Sequence, residues 1–180
     1  LHVMALTRRG HGESDHPETG YDVDTLTEDV RQFMDVLGIE KVILAGHSMA
    51  SIELSHLSAL YPERVIKLIF LDAAYDRSSA SYKNMREKNP LRNIQTPGLD
   101  IDYYTEQDYF AAMKRAYPSF KVFWSEAMEE QSLHEIMKTP EGKVVDRMSD
   151  TISKAIMDTL ISYMPEDSKI DVSTLAIFAI

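Results

Sequence analysis

The amino-acid sequence predicts an α/β protein with a parallel sheet and flanking helices. Over the first 72 residues, apolar strand-like runs alternate with helical patterns in the order strand, loop, helix, strand, helix, strand. Alternation at this spacing is typical of parallel strands joined by right-handed crossover helices. Glycine and polar residues follow each apolar run, and the carboxyl ends of parallel strands would bring them to one edge of the sheet.

The composition sets limits on the class of protein. A chain of 180 residues with 44% hydrophobic content is long enough for one domain with its own core. A net charge of −10 argues against nucleic acid or an anionic membrane as partner, because both would repel it. The absence of cysteine excludes disulfides and thiolate metal sites and leaves the compartment open. No apolar run reaches the roughly 18 residues of a membrane span.

The first elements are a strand, a loop and a helix. Residues 2–7 form an apolar run that predicts a buried strand, and two glycines and a serine then mark a tight loop over residues 8–14. A capping-box pattern at Thr25 and Glu28 predicts the start of a helix, and Gly38 is suited to end it. One apolar stripe would form its inner face: Leu26, Val30, Phe33 and Leu37.

The next strand, predicted over residues 41–45, stops at a G-x-S-x-A pattern centred on Ser48. This pattern is one residue away from the G-x-S-x-G nucleophile elbow, in which the central residue sits on a strained strand-to-helix turn. Small residues are needed two positions before and two after it, because the backbone passes close to its neighbours there. Gly46 meets this need, and Ala50 is the smallest substitute for the second glycine.

A helix is predicted from Met49 to Tyr61, ending before Pro62, with three residues facing inward: Ile52, Leu57 and Leu60. Residues 65–71 predict a third strand, which ends at Asp72. The first loop, Ser48 and Asp72 therefore all follow strand ends, and they are expected at one edge of the sheet.

The character of the sequence changes after Asp72. Residues 76–100 are polar and interrupted by prolines, which favours mostly loop with at most a short helix. Helices are predicted over residues 105–117, 119–137 and 143–164. Residues 175–180 predict a fourth buried strand. The expected organisation is a core over 1–76, a helical cap or lid insertion over 77–168, and a return to the core sheet over 169–180. The methionines and aromatic residues of the cap would suit a flexible apolar lid or an ordinary helix core.

These residues and their order resemble the α/β-hydrolase superfamily. The resemblance rests on an R-G-x-G-x-S loop at residues 9–14, the elbow at residues 46–50, and a Y-P-E-R-V run at residues 61–65. It implies a partial α/β-hydrolase fold with Ser48 as nucleophile and the Met49 backbone N–H as one oxyanion donor. From their positions, His47 beside Ser48 is expected to help line the pocket, and His11 is expected either to line it or to be a solvated loop histidine. No metal or other cofactor is implied.

The resemblance also implies that parts of the family pattern are missing. The strands that precede residue 1 in the family, one of which carries the second oxyanion donor, have no counterpart, and the catalytic histidine follows the last strand. The chain is therefore interpreted as an internal fragment, inactive and poorly soluble when expressed alone. Asp72 ends the strand that carries the triad acid in some members, so it is either that acid or a structural cap, with an acid beyond Ile180 as the alternative. Asp76 is a weaker choice.

The functional hypothesis is a serine hydrolase that acts on a small, apolar ester or related acyl substrate through a Ser-His-Asp triad. An aspartate in place of Ser48 would instead have suggested an epoxide hydrolase or a dehalogenase. Two alternatives stay open: a cofactor-free haloperoxidase-like enzyme, which uses the same triad, and a non-catalytic binding protein with this fold. The second is motivated by Ala50 and Ser51, which stand where the family most often has two glycines.

Overall fold

The computed structural model describes residues 2–72, 80, 84, 103–116, 124–163 and 170–178. Within these ranges the protein is an α/β structure with helices α1–α5 and strands β1–β5. None of the described helices is long and apolar enough to cross a membrane. In chain order the elements are α1 Val23–Val36, β1 Val42–His47, α2 Ala50–Leu60, a 3₁₀ turn Pro62–Arg64, β2 Val65–Leu71, α3 Glu106–Ala116, α4 Glu126–Leu133, β3 Ile136–Lys138, β4 Val144–Asp146, α5 Asp150–Ser162 and β5 Ser173–Ile177.

The chain divides into two compact units. The first unit comprises residues 1–19 and 89–154, and the second comprises residues 20–88 and 155–180. The predicted division into a core, a cap and a return strand is a different partition and stays a prediction. The predicted loop over residues 76–100 lies almost entirely outside the described residues, as does Asp76.

The second unit contains a parallel sheet in the order β1-β2-β5. The parallel sheet was predicted from the alternation of strands and helices, and it is confirmed. One face packs on α2, where the core contains Leu57, Leu68 and Phe70, each no more than 2% exposed. The prediction that the last strand is buried was wrong, because every residue of β5 is exposed. Its apolar composition indicates a strand without specifying what covers its faces.

Helix α1 begins earlier than its capping-box pattern suggested. The cap is Asp22, whose carboxylate accepts from the backbone N–H of Thr25 at 2.9 Å and from its hydroxyl at 2.8 Å. The predicted end is confirmed: Gly38 has φ 66°, and the N–H groups of Gly38 and Ile39 bond the carbonyls of Asp35 and Met34 at 3.0 and 2.8 Å. This pair of hydrogen bonds is a Schellman motif, which needs the left-handed backbone that glycine adopts at little cost.

The helical stripes were predicted only in part. Leu26 of α1 and both Ile52 and Leu57 of α2 are buried as expected, whereas Leu37 and Leu60 are about half exposed. Both exceptions lie at the end of their helix, where the stripe runs past the layer that it packs against.

The Y-P-E-R-V run has a structural role in the second unit. The Arg64 guanidinium donates to the backbone carbonyls of Glu40 and Ile39 at 2.8 and 2.9 Å and to the Asp35 carboxylate at 2.7 Å. Tyr61 donates its hydroxyl to Glu28 on α1 at 2.6 Å. This run therefore connects the end of α2 to α1 and to the segment that leads into β1.

In the first unit, three sequence predictions differ from the structure. Residues 2–7 are exposed and pair with no described strand, although their composition is strand-like. A strand requires a neighbour to receive its backbone hydrogen bonds, and composition does not supply one. The helix predicted through Met137 ends at Leu133, and the helix predicted from Lys143 begins at Asp150. The first of these two predicted helices was expected to begin at Ser119, which lies outside the described residues. Ser125 caps α4 instead.

A β-hairpin, β3–β4, takes the place of those two helix segments. Its strands pair Ile136 with Asp146 and Lys138 with Val144. The three-residue loop between Thr139 and Lys143 contains a turn closed by the Gly142 N–H on the Thr139 carbonyl at 2.9 Å, with Gly142 at φ 80°. Loops of this length commonly combine a type I turn with a left-handed glycine.

Helix α3 begins with a capping box. The Asp108 N–H donates to the Thr105 hydroxyl at 3.1 Å, and the Thr105 N–H donates to the Asp108 carboxylate at 3.1 Å. The helix then contributes Tyr109 and Phe110 to a small aromatic and aliphatic core with Ile136 and Val144.

Candidate active site

The G-x-S-x-A pattern forms a tight strand-to-helix turn in the second unit. Ser48 follows β1 directly and has φ 51°, a left-handed conformation that is uncommon for a residue other than glycine. Its N–H donates to the Leu71 carbonyl at 3.3 Å, and its carbonyl accepts from the Ser51 N–H at 3.2 Å. The backbone strain at Ser48 is therefore maintained by β2 on one side and by α2 on the other.

Gly46 explains why this turn needs small residues. A Cβ atom at Gly46 would lie 2.9 Å from the Ala50 Cβ and 3.0 Å from a Leu54 methyl, which is closer than carbon atoms pack. Strand β1 and helix α2 can thus approach each other only with glycine at this position. The Ala50 Cβ fits over it, so alanine in place of the second glycine is compatible with the turn.

The turn leaves two groups available for chemistry. The Ser48 side chain is exposed. The Ser51 and Ile52 N–H groups donate to the carbonyls of Ser48 and Met49, at 3.2 and 3.1 Å, whereas the Met49 N–H has no acceptor among the described residues. Met49 also directly precedes the 11-residue helix α2, whose N-terminal end favours negative charge. A developing oxyanion beside Ser48 would find one donor there.

Asp72 lies beside the turn on the neighbouring strand. His47 pairs with Leu71 at the ends of β1 and β2, so Ser48 and Asp72 are the first residues beyond two adjacent parallel strands. Asp72 also has a left-handed backbone, with φ 46°, and its N–H donates to the Ile177 carbonyl at 2.6 Å. Two strained, non-glycine residues therefore stand next to each other at the carboxyl edge of the sheet, where α/β proteins place functional residues.

The histidines of the second unit have other surroundings. His47 is exposed and lies on the face of β1 opposite to Gly46, because side chains alternate along a strand. His56 bonds Asp24 at 2.7 Å through Nε2 and packs edge-on against Tyr163 at a ring separation of 6.3 Å. These contacts make His56 a packing residue of the second unit. Pocket lining by His47 stays a prediction.

His11 belongs to the first unit and is half-buried in the R-G-x-G-x-S loop. Its Nδ1 lies 3.1 Å from the Arg9 carbonyl. Burial lowers the pKa of His11, and the hydrogen bond to the Arg9 carbonyl opposes this effect. Burial therefore favours the neutral form of His11. Its predicted role in lining a pocket is likewise untested.

Glu53 is a residue that the sequence reasoning missed. It lies in the first turn of α2 and is only 3% exposed, although glutamate is rarely buried. Its one sequence signal is a carboxylate five residues after Ser48 in an apolar helix. Within the described ranges, no group of three histidine or acidic side chains is arranged to hold a metal ion.

A serine at a strained strand-to-helix turn, on a parallel sheet with helices packed on it, defines the class of α/β proteins with a nucleophile elbow. The alpha/beta hydrolase fold family model matches residues 1–136. The chain therefore belongs to the alpha/beta hydrolase fold family.

Known relatives agree with this assignment. Over 72 residues, or 39% of this chain, it is 38% identical both to Epoxide hydrolase 4 of Mus musculus and to the non-heme chloroperoxidase of Streptomyces lividans. These segments span only 20% and 26% of the two relatives. The crystal structure of E-2-(acetamidomethylene)succinate hydrolase superimposes with a TM-score of 0.71 at 20% identity, covering 94% of this chain and 59% of that protein. At that identity the superposition shows the fold alone.

Proposed function

We propose that this chain carries the nucleophile of a serine hydrolase that acts on a small ester or related acyl substrate. The observation that carries the proposal is Ser48 itself, exposed and at φ 51° between β1 and α2. Maintaining such a backbone costs on the order of 1–3 kcal/mol, and such strain is concentrated at functional sites. Membership in the alpha/beta hydrolase fold family supports the same role.

The chemistry follows from the groups at the turn. The Ser48 hydroxyl attacks the substrate carbonyl carbon while a histidine base takes its proton, and the Met49 N–H donates to the oxyanion that forms. The tetrahedral intermediate expels the alcohol, which receives the proton from the histidine. Water then attacks the acyl-serine by the same route and releases the acid.

Asp72 is proposed as the carboxylate that orients this histidine. Its place next to Ser48 and its strained backbone support this role. The resemblance puts the histidine itself after the strand that β5 represents, and none of the six histidines of this chain is proposed as the base.

The type of nucleophile favours acyl transfer over epoxide opening, despite the relative named Epoxide hydrolase 4. Epoxide hydrolysis by this fold is expected to use an aspartate at the elbow, whereas this chain has Ser48. The relative named non-heme chloroperoxidase favours a second candidate. In that reaction the same acyl-serine would be attacked by hydrogen peroxide in place of water and would yield a peracid.

Ala50 and Ser51, which replace the two glycines common in the family, give little support to the alternative of a non-catalytic binding protein. Ala50 fits over Gly46 without closing the turn, and Ser51 is buried within α2. Neither residue blocks the approach to Ser48.

A fluorophosphonate probe on the full-length protein tests the proposal. The probe should label Ser48, identified by tandem mass spectrometry, and Ser48→Ala should remove the label. Ser162→Ala, at an exposed serine of α5, is the matched control and should retain it. Asp72→Asn should slow labelling by a factor on the order of 10³–10⁴, as loss of a triad acid does. An unlabelled Ser48, under conditions that label a control hydrolase, would overturn the proposal.

A further experiment separates the two candidate reactions. Hydrogen peroxide added with an acyl substrate should yield peracid only if the acyl-serine accepts peroxide.

The 180-residue chain expressed alone is expected to be inactive and poorly soluble. The exposure of Leu175 and Ile177 on β5, each at least half exposed, supports this expectation.

A further inference from the structure

The R-G-x-G-x-S loop of the first unit is fixed by its own hydrogen bonds. The Gly10 N–H donates to the Asp15 carbonyl at 2.8 Å, and the Ser14 hydroxyl donates to the Thr7 carbonyl at 2.8 Å. The Gly12 N–H donates to the Glu135 carboxylate, 123 residues away, at 3.3 Å. The side chains of this loop are therefore presented on a preorganised backbone, which reduces the entropy lost on binding a ligand.

Two histidines of this loop each place one ring nitrogen on a backbone carbonyl. Nδ1 of His11 lies 3.1 Å from the Arg9 oxygen, and Nε2 of His16 lies 3.0 Å from the Gly12 oxygen. A carbonyl oxygen only accepts, so the nitrogen facing it carries the proton. Neutral His11 is thus the Nδ1–H tautomer, with a lone pair on Nε2, and neutral His16 has its lone pair on Nδ1.

The remaining nitrogens differ in their surroundings. Nδ1 of His16 is buried within the protein, without a hydrogen-bond partner among the described residues. Nε2 of His11 also has no partner among them, but it is not one of the buried polar atoms. The lone pair of His11 is therefore the one that a ligand can reach.

We propose that His11 is a ligand-binding residue whose Nε2 accepts a hydrogen bond from a hydroxyl or amide N–H of a small, neutral ligand. The family assignment does not supply this role, and the proposal goes beyond the chemistry of Ser48. The sequence predicts that His11 lines a pocket or is a solvated loop histidine, whereas the tautomer specifies the chemistry of what it binds.

The charge state of His11 sets the pH range of this binding. Burial lowers the pKa of His11 most, and the neighbouring Arg8 and His16 lower it further. The Arg9 carbonyl and the Glu135 carboxylate act in the opposite direction. When the pH falls through the lowered pKa, Nε2 gains a proton and becomes a donor, so the proposed hydrogen bond is lost.

The tautomer is tested by long-range ¹H–¹⁵N correlation spectra of the full-length protein labelled with ¹⁵N-histidine at pH 7. His11 should show a protonated Nδ1 and an unprotonated Nε2, and His16 should show the reverse. An Nε2–H tautomer at His11 would overturn the proposal, whatever the activity of Ser48.

Ligand binding is tested with 2-pentanol and with 2-pentanone, which has the same carbon skeleton but no donor. The alcohol should shift the His11 Nε2 resonance and bind more tightly than the ketone. His11→Asn keeps a donor for the Arg9 carbonyl but lacks Nε2. It should weaken binding of the alcohol by about five- to tenfold, the effect of one hydrogen bond. His11→Gln restores an acceptor near Nε2 and should recover most of the binding.

His16→Gln is the matched control, because it keeps the donor to Gly12 and removes only the buried nitrogen. It should bind the alcohol as the unmodified chain does. Equal changes in the His11 Nε2 resonance with 2-pentanol and 2-pentanone would contradict the proposal. So would an unchanged resonance with 2-pentanol at about 100 mM. None of these measurements requires Ser48 to react, so their failure and the failure of the serine hydrolase proposal are distinguishable.

Discussion

The two units of this chain are stabilised by different kinds of contact. In the second unit, a parallel sheet and α2 approach so closely that only glycine fits at position 46, and Leu68 and Phe70 are almost completely buried. In the first unit, single polar contacts join separate segments: Gly12 of the loop bonds Glu135, which precedes the hairpin, and Tyr109 of α3 bonds Asp146 of β4. The second unit therefore depends on apolar layers, whereas the first combines a small apolar core with individual turns and hydrogen bonds.

This difference has consequences for function. The proposed nucleophile lies where β1 and α2 approach closely, and the strain at Ser48 is maintained by its backbone hydrogen bonds to β2 and α2. The proposed ligand-binding residue, His11, is presented by a loop whose position depends on a few hydrogen bonds. Substitutions should accordingly cost most in the apolar layers of the second unit and least at the polar contacts of the first.

Phe70→Ala should have the largest effect. Phe70 is 2% exposed in the core between β2 and α2, and a cavity of that size costs about 3–5 kcal/mol of unfolding free energy. The matched change in the first unit, Val144→Ala, removes a smaller side chain that is 1% exposed and should cost about 2 kcal/mol. Urea denaturation measures both. A smaller loss for Phe70→Ala than for Val144→Ala would contradict the comparison.

Gly46→Ala should rank next. The added Cβ would lie 2.9 Å from the Ala50 Cβ and 3.0 Å from Leu54, so β1 and α2 must separate. Overpacking of this kind costs about 1–3 kcal/mol. The double variant Gly46→Ala with Ala50→Gly should recover part of the loss, because it removes the nearest clashing atom. If the double variant recovered no stability, the contact with the Ala50 Cβ would not be the cause of the loss in Gly46→Ala. Thermal melting of the three proteins decides between these outcomes.

Most of the second unit could be predicted from the sequence, because its elements carry strong local patterns. Strand β2 was predicted with the bounds that it has, and the elbow was recognised from Gly46 and Ser48 between a strand and a helix. The left-handed backbone of Asp72 could not be predicted, since it depends on the register of β2 against β5. Sequence patterns report what a segment can form, whereas register depends on its neighbours.

The first unit shows where local patterns fail. The strands of the hairpin have three residues each, too short for a periodic signal, and the flanking residues resemble a helix. The proline and glycine at positions 140 and 142, between two apolar pairs, were the available signal. The prediction for residues 2–7 fails for the opposite reason: their pattern is that of a strand, but no described strand pairs with them. The tautomer of His11 likewise required the position of the Arg9 carbonyl.

Gly142→Ala tests whether a single turn residue maintains the hairpin. Gly142 has φ 80° and open space around it, so the cost should be backbone strain of about 1–2 kcal/mol. Gly38→Ala in the second unit has the same character, with φ 66° and no neighbour within 4 Å, and should cost about as much. Gly142→Asn should cost less, because asparagine tolerates this conformation. A much larger loss for Gly38→Ala, measured by urea denaturation, would show that the turns of the two units are not equivalent.

The smallest effect is expected at the polar pair of the first unit. Tyr109 donates its hydroxyl to Asp146 at 3.0 Å. Burial raises the pKa of Asp146, the Tyr109 hydrogen bond opposes this, and the carboxylates of Glu135 and Asp150 raise it further. A raised pKa means that the folded protein favours the neutral acid, so the stability contributed by Asp146 is present below its ordinary pKa and is lost as the pH rises through the folded value.

Asp146→Asn removes this charge and keeps an oxygen that can accept from Tyr109. It should stabilise the chain by no more than about 1 kcal/mol at pH 7, because solvent screens this partly exposed charge, and the gain should disappear below about pH 3, where the carboxyl is neutral in both states. Tyr109→Phe, which removes the donor and leaves the charge, should destabilise at pH 7 and less at low pH. Urea denaturation across this pH range measures both. If Asp146→Asn increased the free energy of unfolding by the same amount at every pH, the charge of Asp146 would not be the cause of the increase. The contact with Tyr109 would then depend on packing and hydrogen bonding rather than on ionisation.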